Sequence, residues 1–337
     1  MTRLAGSTSL AVLLACTPPS DGGTGTSTTS GSASGATATS SGSASGVTST
    51  GGDSTTSGTT GGGSTSATTS DGTTSGTTTG ASEGSTTGEG TTGVVDPEDC
   101  AANPIPWCEA DTRPTPNGVP SSPPGLGGCP PGMARVDTFC VDRWEAALVE
   151  VLPGDVLGPW SPYASPAGAQ VRALSAPGLV PQGYISQVEA SAACVAAGKR
   201  LCSDSEWLRA CRGAAMQVFP YGDDLVPGAC NDARTCHPAI QYFETAADWI
   251  WSELGHPCLN QLPAGLDPTG ANPACVSDDG IYDMMGNLHE WTADPEGTFR
   301  GGFYVDTKIN GPGCLYVTTA HNVYHWDYST GFRCCAD

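Results

Sequence analysis

Ser186-Gln-Val-Glu-Ala-Ser-Ala-Ala-Cys-Val-Ala-Ala-Gly-Lys-Arg-Leu-Cys-Ser-Asp-Ser-Glu-Trp-Leu-Arg-Ala-Cys-Arg-Gly213 reads as two short helices and the turn between them. Ser186 and Glu189 have the spacing of a capping box: the hydroxyl takes a free amide of the first turn and the carboxylate reaches back. Val188, Ala192 and Val195 then line one predicted face, up to Gly198. Ser203 and Glu206 repeat the device, with Trp207, Leu208 and Cys211 predicted inward and Gly213 as the stop. Beyond these helices, Gly, Pro, Asn and Asp interrupt the chain too often for long elements, so ordered loops dominate the expectation.

Working outward, the chain divides sharply. All 8 Trp, 9 Tyr and 6 Phe lie at Trp107 or later, and no Lys or Arg occurs between Arg3 and Arg113. The segment from Ser20 to about Gly93 is nearly all Gly, Ser, Thr and Ala; it cannot offset its ordering entropy by burial and is expected to be a disordered tether over 16–94. Residues 95–128, rich in Pro, Gly and Cys, read as an irregular lead-in, and a compact unit over 129–337 begins at Cys129-Pro-Pro-Gly-Met. Setting aside Arg3 and five early acids from 13 basic and 34 acidic groups leaves 12 and 29, a charge of about −17. That sign excludes nucleic acid as a partner, because phosphates need cationic patches.

At the start, one Arg precedes the apolar stretch Leu10–Ala15, which is too short to span a bilayer and fits a secretory signal over 1–15. Leu13-Leu14-Ala15-Cys16 resembles the bacterial lipobox, which implies a lipid on Cys16, a membrane-anchored chain, and a destination at the outer membrane or cell surface. The alternative is an ordinary signal peptide ending at a chance cysteine. Export makes disulfides the expected state of the other 14 cysteines. With no Cys-x-x-Cys pair, a zinc cluster is not supported. Cys100/Cys108 and Cys129/Cys140 are close enough to form local clips; the remaining connectivity stays open at this point.

The two capped helices, with Ala197-Gly-Lys-Arg-Leu-Cys202 between them, resemble the central motif of the formylglycine-generating enzyme (sulfatase-modifying factor) family. Three more pieces follow in that family's order: Tyr282-Asp-Met-Met-Gly-Asn-Leu-His-Glu-Trp291, Arg300-Gly-Gly-Phe-Tyr304 and Gly331-Phe-Arg-Cys334. The resemblance implies an α+β, C-type-lectin-like domain, low in regular structure, disulfide-rich and built on a twisted antiparallel sheet. It also implies two bridges, Cys194 with Cys334 and Cys211 with Cys314.

The resemblance further implies calcium at Asp283, Gly286, Leu288 and Glu290, two carboxylates and two carbonyls being hard oxygen donors of the kind Ca²⁺ takes. The competing reading has Asp283 and Glu290 only capping turns beside a packed Trp291. Asn231 and the Asp232 carbonyl could begin a second calcium site. Family enzymes hold copper through two thiolates spaced Cys-x4-Cys after Arg-Gly-Gly; here those places fall on Asp306 and near Gly311. Soft thiolates select copper(I), so copper and formylglycine generation are not expected. Two functions of different class follow. One is a non-catalytic binding module for a peptide, glycan or envelope protein, using the aromatic segment His321–Tyr328. The other is an oxidoreductase with an iron site built from Asp306, His321 and His325, with Tyr324 beside them. His289 reads as packing, and the Lys199-Arg200 pair as an anchor for the interhelical turn.

Overall fold

The computed structural model describes residues 97–102, 108–109, 112–319 and 321–337. All of them lie in the second of the chain's two compact units, Ser85–Asp337. The expected signal, the Cys16 lipid and the tether fall outside these residues. Among the described residues, no helix is long and apolar enough to cross a membrane.

The elements in chain order are α1 (Pro97–Ala101), β1 (Met133–Val136), β2 (Phe139–Asp142), β3 (Ala147–Leu152), β4 (Val156–Pro159), β5 (Val171–Leu174), α2 (Gln187–Ala196), β6 (Arg200–Leu201), α3 (Asp204–Arg212), α4 (Pro238–Phe243), β7 (His289–Trp291), β8 (Phe299–Arg300), β9 (Val317–Thr318), β10 (Thr330–Phe332) and β11 (Cys334–Ala336). They make three small sheets, ordered β1-β2-β11-β6, β10-β7-β8-β9 and β4-β3-β5. One pair, β10 with β7, is parallel, matching Thr330 to His289 and Phe332 to Trp291. The fold is therefore α+β with little regular structure, as expected, but its antiparallel framework is split into three sheets and carries this parallel seam.

Both capping boxes form: Ser186 accepts from the Glu189 amide, and Ser203 from the Glu206 amide. The face of α2 departs from expectation. Val188 and Val195 are 44% and 64% exposed, while Gln187, Ala190, Ala193 and Cys194 face the core. Gln187 can sit there because its amide donates to the carbonyls of Thr292 (2.7 Å) and Asp294 (2.5 Å), so its polarity is satisfied inside. The small residues beside it let α2 pack closely on Leu148, Val171, Ala173, Trp291 and Phe332. In α3, Trp207 and Cys211 are buried as predicted, while Ala210 takes the third inward place and Leu208 is half-buried.

Seven bridges hold these short elements. Cys194–Cys334 and Cys211–Cys314 are present, as is the clip Cys129–Cys140. Cys202–Cys335 and Cys230–Cys275 join them. The expected clip Cys100/Cys108 is corrected: Cys100 pairs with Cys236 and Cys108 with Cys258, which ties the lead-in to both ends of the 236–258 segment. Loops of this length are worth roughly 4 to 5 kcal/mol each in the chain-entropy account. The Lys199-Arg200 pair is structural: Lys199 meets the buried carboxylate of Asp142 at 2.6 Å, and Arg200 grips Glu206 and Asp337.

Candidate functional site

The Arg300-Gly-Gly turn is fixed from the side by Arg300, whose guanidinium grips Asp204 at the start of α3 at 2.5 and 2.8 Å. Gly302 has φ +72, and a Cβ there would come within 2.3 Å of the Asp306 carbonyl, so the turn requires glycine. The chain then folds back: Phe303 and Asp306 exchange backbone hydrogen bonds of 2.9 and 3.0 Å. The Asp306 carboxylate accepts from the Lys308 amide (2.9 Å) and the Ile309 amide (3.2 Å), so it is occupied by its own loop. Eight residues on, Cys314 is joined to Cys211. All 14 described cysteines are in bridges, which leaves no thiolate among the described residues to hold copper.

Beside this turn lies an aromatic and histidine cluster. His289, on β7, is 6% exposed and packed among Phe299 (4.7 Å between ring centres), Phe303 (4.8 Å) and Tyr316 (5.4 Å). Its Nδ1 is buried with no hydrogen-bond partner. Burial, together with the neighbouring His321 and His325 and despite the opposing charge of Asp327, pushes its pKa down to about 3. The rings of His321 and His325 stack face to face at 3.8 Å, and His321 also stacks on Phe299 at 5.7 Å. His325 Nε2 lies 3.2 Å from Asp327 Oδ2. Burial alone would raise Asp327; hydrogen bonds from His325 and Ser329 outweigh it and hold the carboxyl below its usual range.

The structure thus brings His321 and His325 together, but with Asp327 rather than Asp306, and it leaves Tyr324 72% exposed. Among the described residues, no three His, Cys, Asp or Glu side chains are arranged to hold one metal ion. The iron-binding triad of Asp306, His321 and His325 is therefore not assembled. In the sequence Asp327 stands two residues after His325, beside the His-x3-His pair, but the carboxylate's place in the triad was expected at Asp306.

The expected calcium residues lie in the interior. Asp283 is buried and its Oδ2 accepts from the Gly270 amide at 2.7 Å. Both Glu290 oxygens face Arg333 Nε and Nη2, at 2.5 and 2.6 Å, and the carboxylate also accepts from Trp207 Nε1 at 2.8 Å. Glu145, which sequence reasoning did not single out, completes the group by accepting from Asn287 Nδ2 (2.5 Å) and the Leu288 amide (3.1 Å). Burial, then Asp283 and Glu290, raise Glu145 well above the ordinary carboxylate range. Burial likewise raises Asp283 to about 6, against the Gly270 amide and Arg333. Three buried carboxylates thus share one guanidinium. The donors are all hard oxygen, which fits Ca²⁺ and not a soft metal, but Glu290 is already committed to Arg333.

Gly286 sits where a Cβ would meet the Asn231 carbonyl at 2.1 Å. Asn231 accepts from the Asn287 amide at 2.8 Å and donates its side chain to Gly265 and Asn287. Asp232 accepts from Thr307 at 3.2 Å. Of the two residues expected to begin a separate calcium site, Asn231 braces the Gly286–Asn287 turn and Asp232 holds Thr307 through its carboxylate.

Residues 162–335 match the sulfatase-modifying factor enzyme 1-like domain. The chain belongs to that family. Among its relatives, the inactive C-alpha-formylglycine-generating enzyme 2 of Mus musculus is 31% identical over 136 residues, covering 38% of this chain and 39% of the relative. The formylglycine-generating enzyme of Mus musculus is 30% identical over 112 residues, 33% of this chain and 26% of the enzyme. That of Streptomyces coelicolor is 29% identical over 230 residues, 56% and 67% respectively. The chain thus spans well under half the length of the first two. PvdO from Pseudomonas aeruginosa overlaps at a TM-score of 0.37 and 16% identity, over 59% of this chain and 80% of that one, too loosely to bear on function. The matched residues contain all four sequence motifs but not β1 to β4, of which β1 and β2 join the same sheet as β11.

Proposed function

We propose that this chain is a non-catalytic binding module of the family, displayed at the cell envelope through a lipid on Cys16, with a peptide, glycan or envelope protein as partner. The observation that supports it is the Cys211–Cys314 bridge: the one cysteine near the place of the copper pair is already used. Asp306, at the first thiolate position, is bound by the amides of its own loop. One relative carries the word inactive in its name. The test is to incubate the full chain with copper and a sulfatase-motif peptide and follow the mass of the peptide. No loss of mass from aldehyde formation is expected; robust conversion would overturn the reading.

Calcium belongs to the same proposal, held by Asp283 and the carbonyls of Gly286 and Leu288, with Glu290 shared with Arg333. The surplus of buried negative charge around Glu145 and Asp283 supports it. Calorimetric titration should show one site that Asp283→Asn abolishes, and heat that survives this change would place the ion elsewhere. Elemental analysis separates the rival oxidoreductase, which requires stoichiometric iron lost on changing His321 and His325.

A further inference from the structure

The 237–258 segment carries large aromatic side chains on its outside. Trp249, Trp251 and Trp326 are 53%, 45% and 41% exposed. They are not loose. Trp249 and Trp251 flank the buried Ile250 in the one-turn helix Asp248–Ser252. Trp251 and His237, the cap of α4, meet in a T-shaped contact at 4.9 Å; Trp249 and Phe243, at the far end of α4, meet likewise at 5.1 Å. The two indoles therefore rest at opposite ends of α4, a helix of roughly 9 Å at 1.5 Å per residue. Trp326 lies over Gly255, where a Cβ would sit 3.0 Å from the ring. Beneath them, His237 Nε2 and the Tyr328 hydroxyl are 2.9 Å apart. Bridges at Cys236 and Cys258 close both ends of the segment. Rings already fixed in place lose little freedom when a partner arrives, which favours binding.

The exposed charge on the segment that carries these rings is negative. No Lys or Arg occurs between Arg234 and Arg300, or between Lys308 and Arg333. Glu244, Asp248 and Glu253 are exposed on the same segment. Two cations reach the cluster electrostatically: Arg113 acts on His256, and Arg234, which donates to the Cys236 carbonyl, acts on His237. Indole faces beside carboxylates attract ammonium and guanidinium groups through the ring quadrupole and the neighbouring charge together. The same surface repels anionic partners, and a domain of about −17, from 12 basic and 29 acidic groups, steers cations toward it.

We infer that Trp249, Trp251 and Trp326, with Asp248 and Glu253, form a docking surface for a basic peptide segment. This rests on the binding-module reading and names the partner's chemistry. The test titrates the full chain with an (Arg-Gly)4 peptide and, separately, with neutral cellohexaose, following tryptophan fluorescence and heat. Saturable peptide binding is expected. The double variant Trp249→Ala/Trp251→Ala should weaken it about tenfold or more, and Asp248→Asn/Glu253→Gln should weaken it and flatten its salt dependence. Glu150→Gln/Asp155→Asn, on the β3–β4 hairpin, should leave it unchanged, with near-ultraviolet dichroism checking that every variant is folded. Equal loss in the hairpin variant, or none in the tryptophan variant, reduces the effect to bulk charge and overturns the inference. Cellohexaose binding without peptide binding overturns it too, while leaving the binding-module reading standing. Peptide-mass conversion in the copper assay would strike that earlier reading instead.

Discussion

His289 shows how one side chain can couple the site to pH. It is held neutral at a pKa of about 3, whereas an unfolded imidazole titrates near 6.5. Between these values the unfolded chain binds the extra proton, so the contribution of His289 to stability is complete above 6.5 and is lost as pH falls toward 3. His237, pushed down to about 4 chiefly by burial, acts in the same direction. Asp283, raised to about 6, acts oppositely: its contribution is present below the ordinary carboxylate value and is lost as pH rises through 6. In urea denaturation the midpoint of His289→Phe should fall less between pH 6.5 and 4 than that of the parent. An identical fall would mean that His289 is protonated in the folded chain. The sequence offered only the position of this residue in the Asn-Leu-His-Glu-Trp motif. Its lowered pKa comes from Phe299, Phe303 and Tyr316, brought around it by separate turns, which no spacing reveals. The buried group around Arg333 is similar: Asp283 and Glu290 stood out as a motif, but Glu145 joins them from 138 residues upstream of Asp283 only through the fold.

At the level of elements, both capping boxes were legible because a cap is a local contract between residues three apart. Ser203→Ala should cost about 1 kcal/mol, read from chemical denaturation, since the Ser203 hydroxyl accepts from the Glu206 amide at 3.3 Å. A loss near zero would mean that water replaces the cap. The orientation of α2 was not legible. Apolar spacing pointed to Val188 and Val195, but close packing against β5 selected Ala190, Ala193 and Cys194, and two carbonyls satisfied Gln187 inside. A helix of mostly small residues has no strongly apolar stripe, so its partner decides which side turns in.

Across the whole molecule, the expectation of export and an even number of cysteines made full pairing legible, and family resemblance supplied two of the seven pairs. Cys129–Cys140 was readable from its separation of 11; Cys100–Cys236 and Cys108–Cys258, with separations of 136 and 150, were not. Thiol titration of the denatured, unreduced domain lacking the Cys16 region should find essentially no reactive sulfhydryl, and a pair of free thiols would break the assignment. The wide separations also bear on how the chain is made. On the proposed export route the chain would emerge from its N-terminus, and Cys100 would meet Cys108, and Cys194 would meet Cys202, long before their native partners arrive. Oxidation in order of arrival would lock in wrong pairs, and only Cys129–Cys140 would close correctly on the way out. Exported in this way, the domain would need a disulfide isomerase, or a delay in oxidation until Cys335 has crossed, and a host that oxidises rapidly without reshuffling should yield mispaired protein.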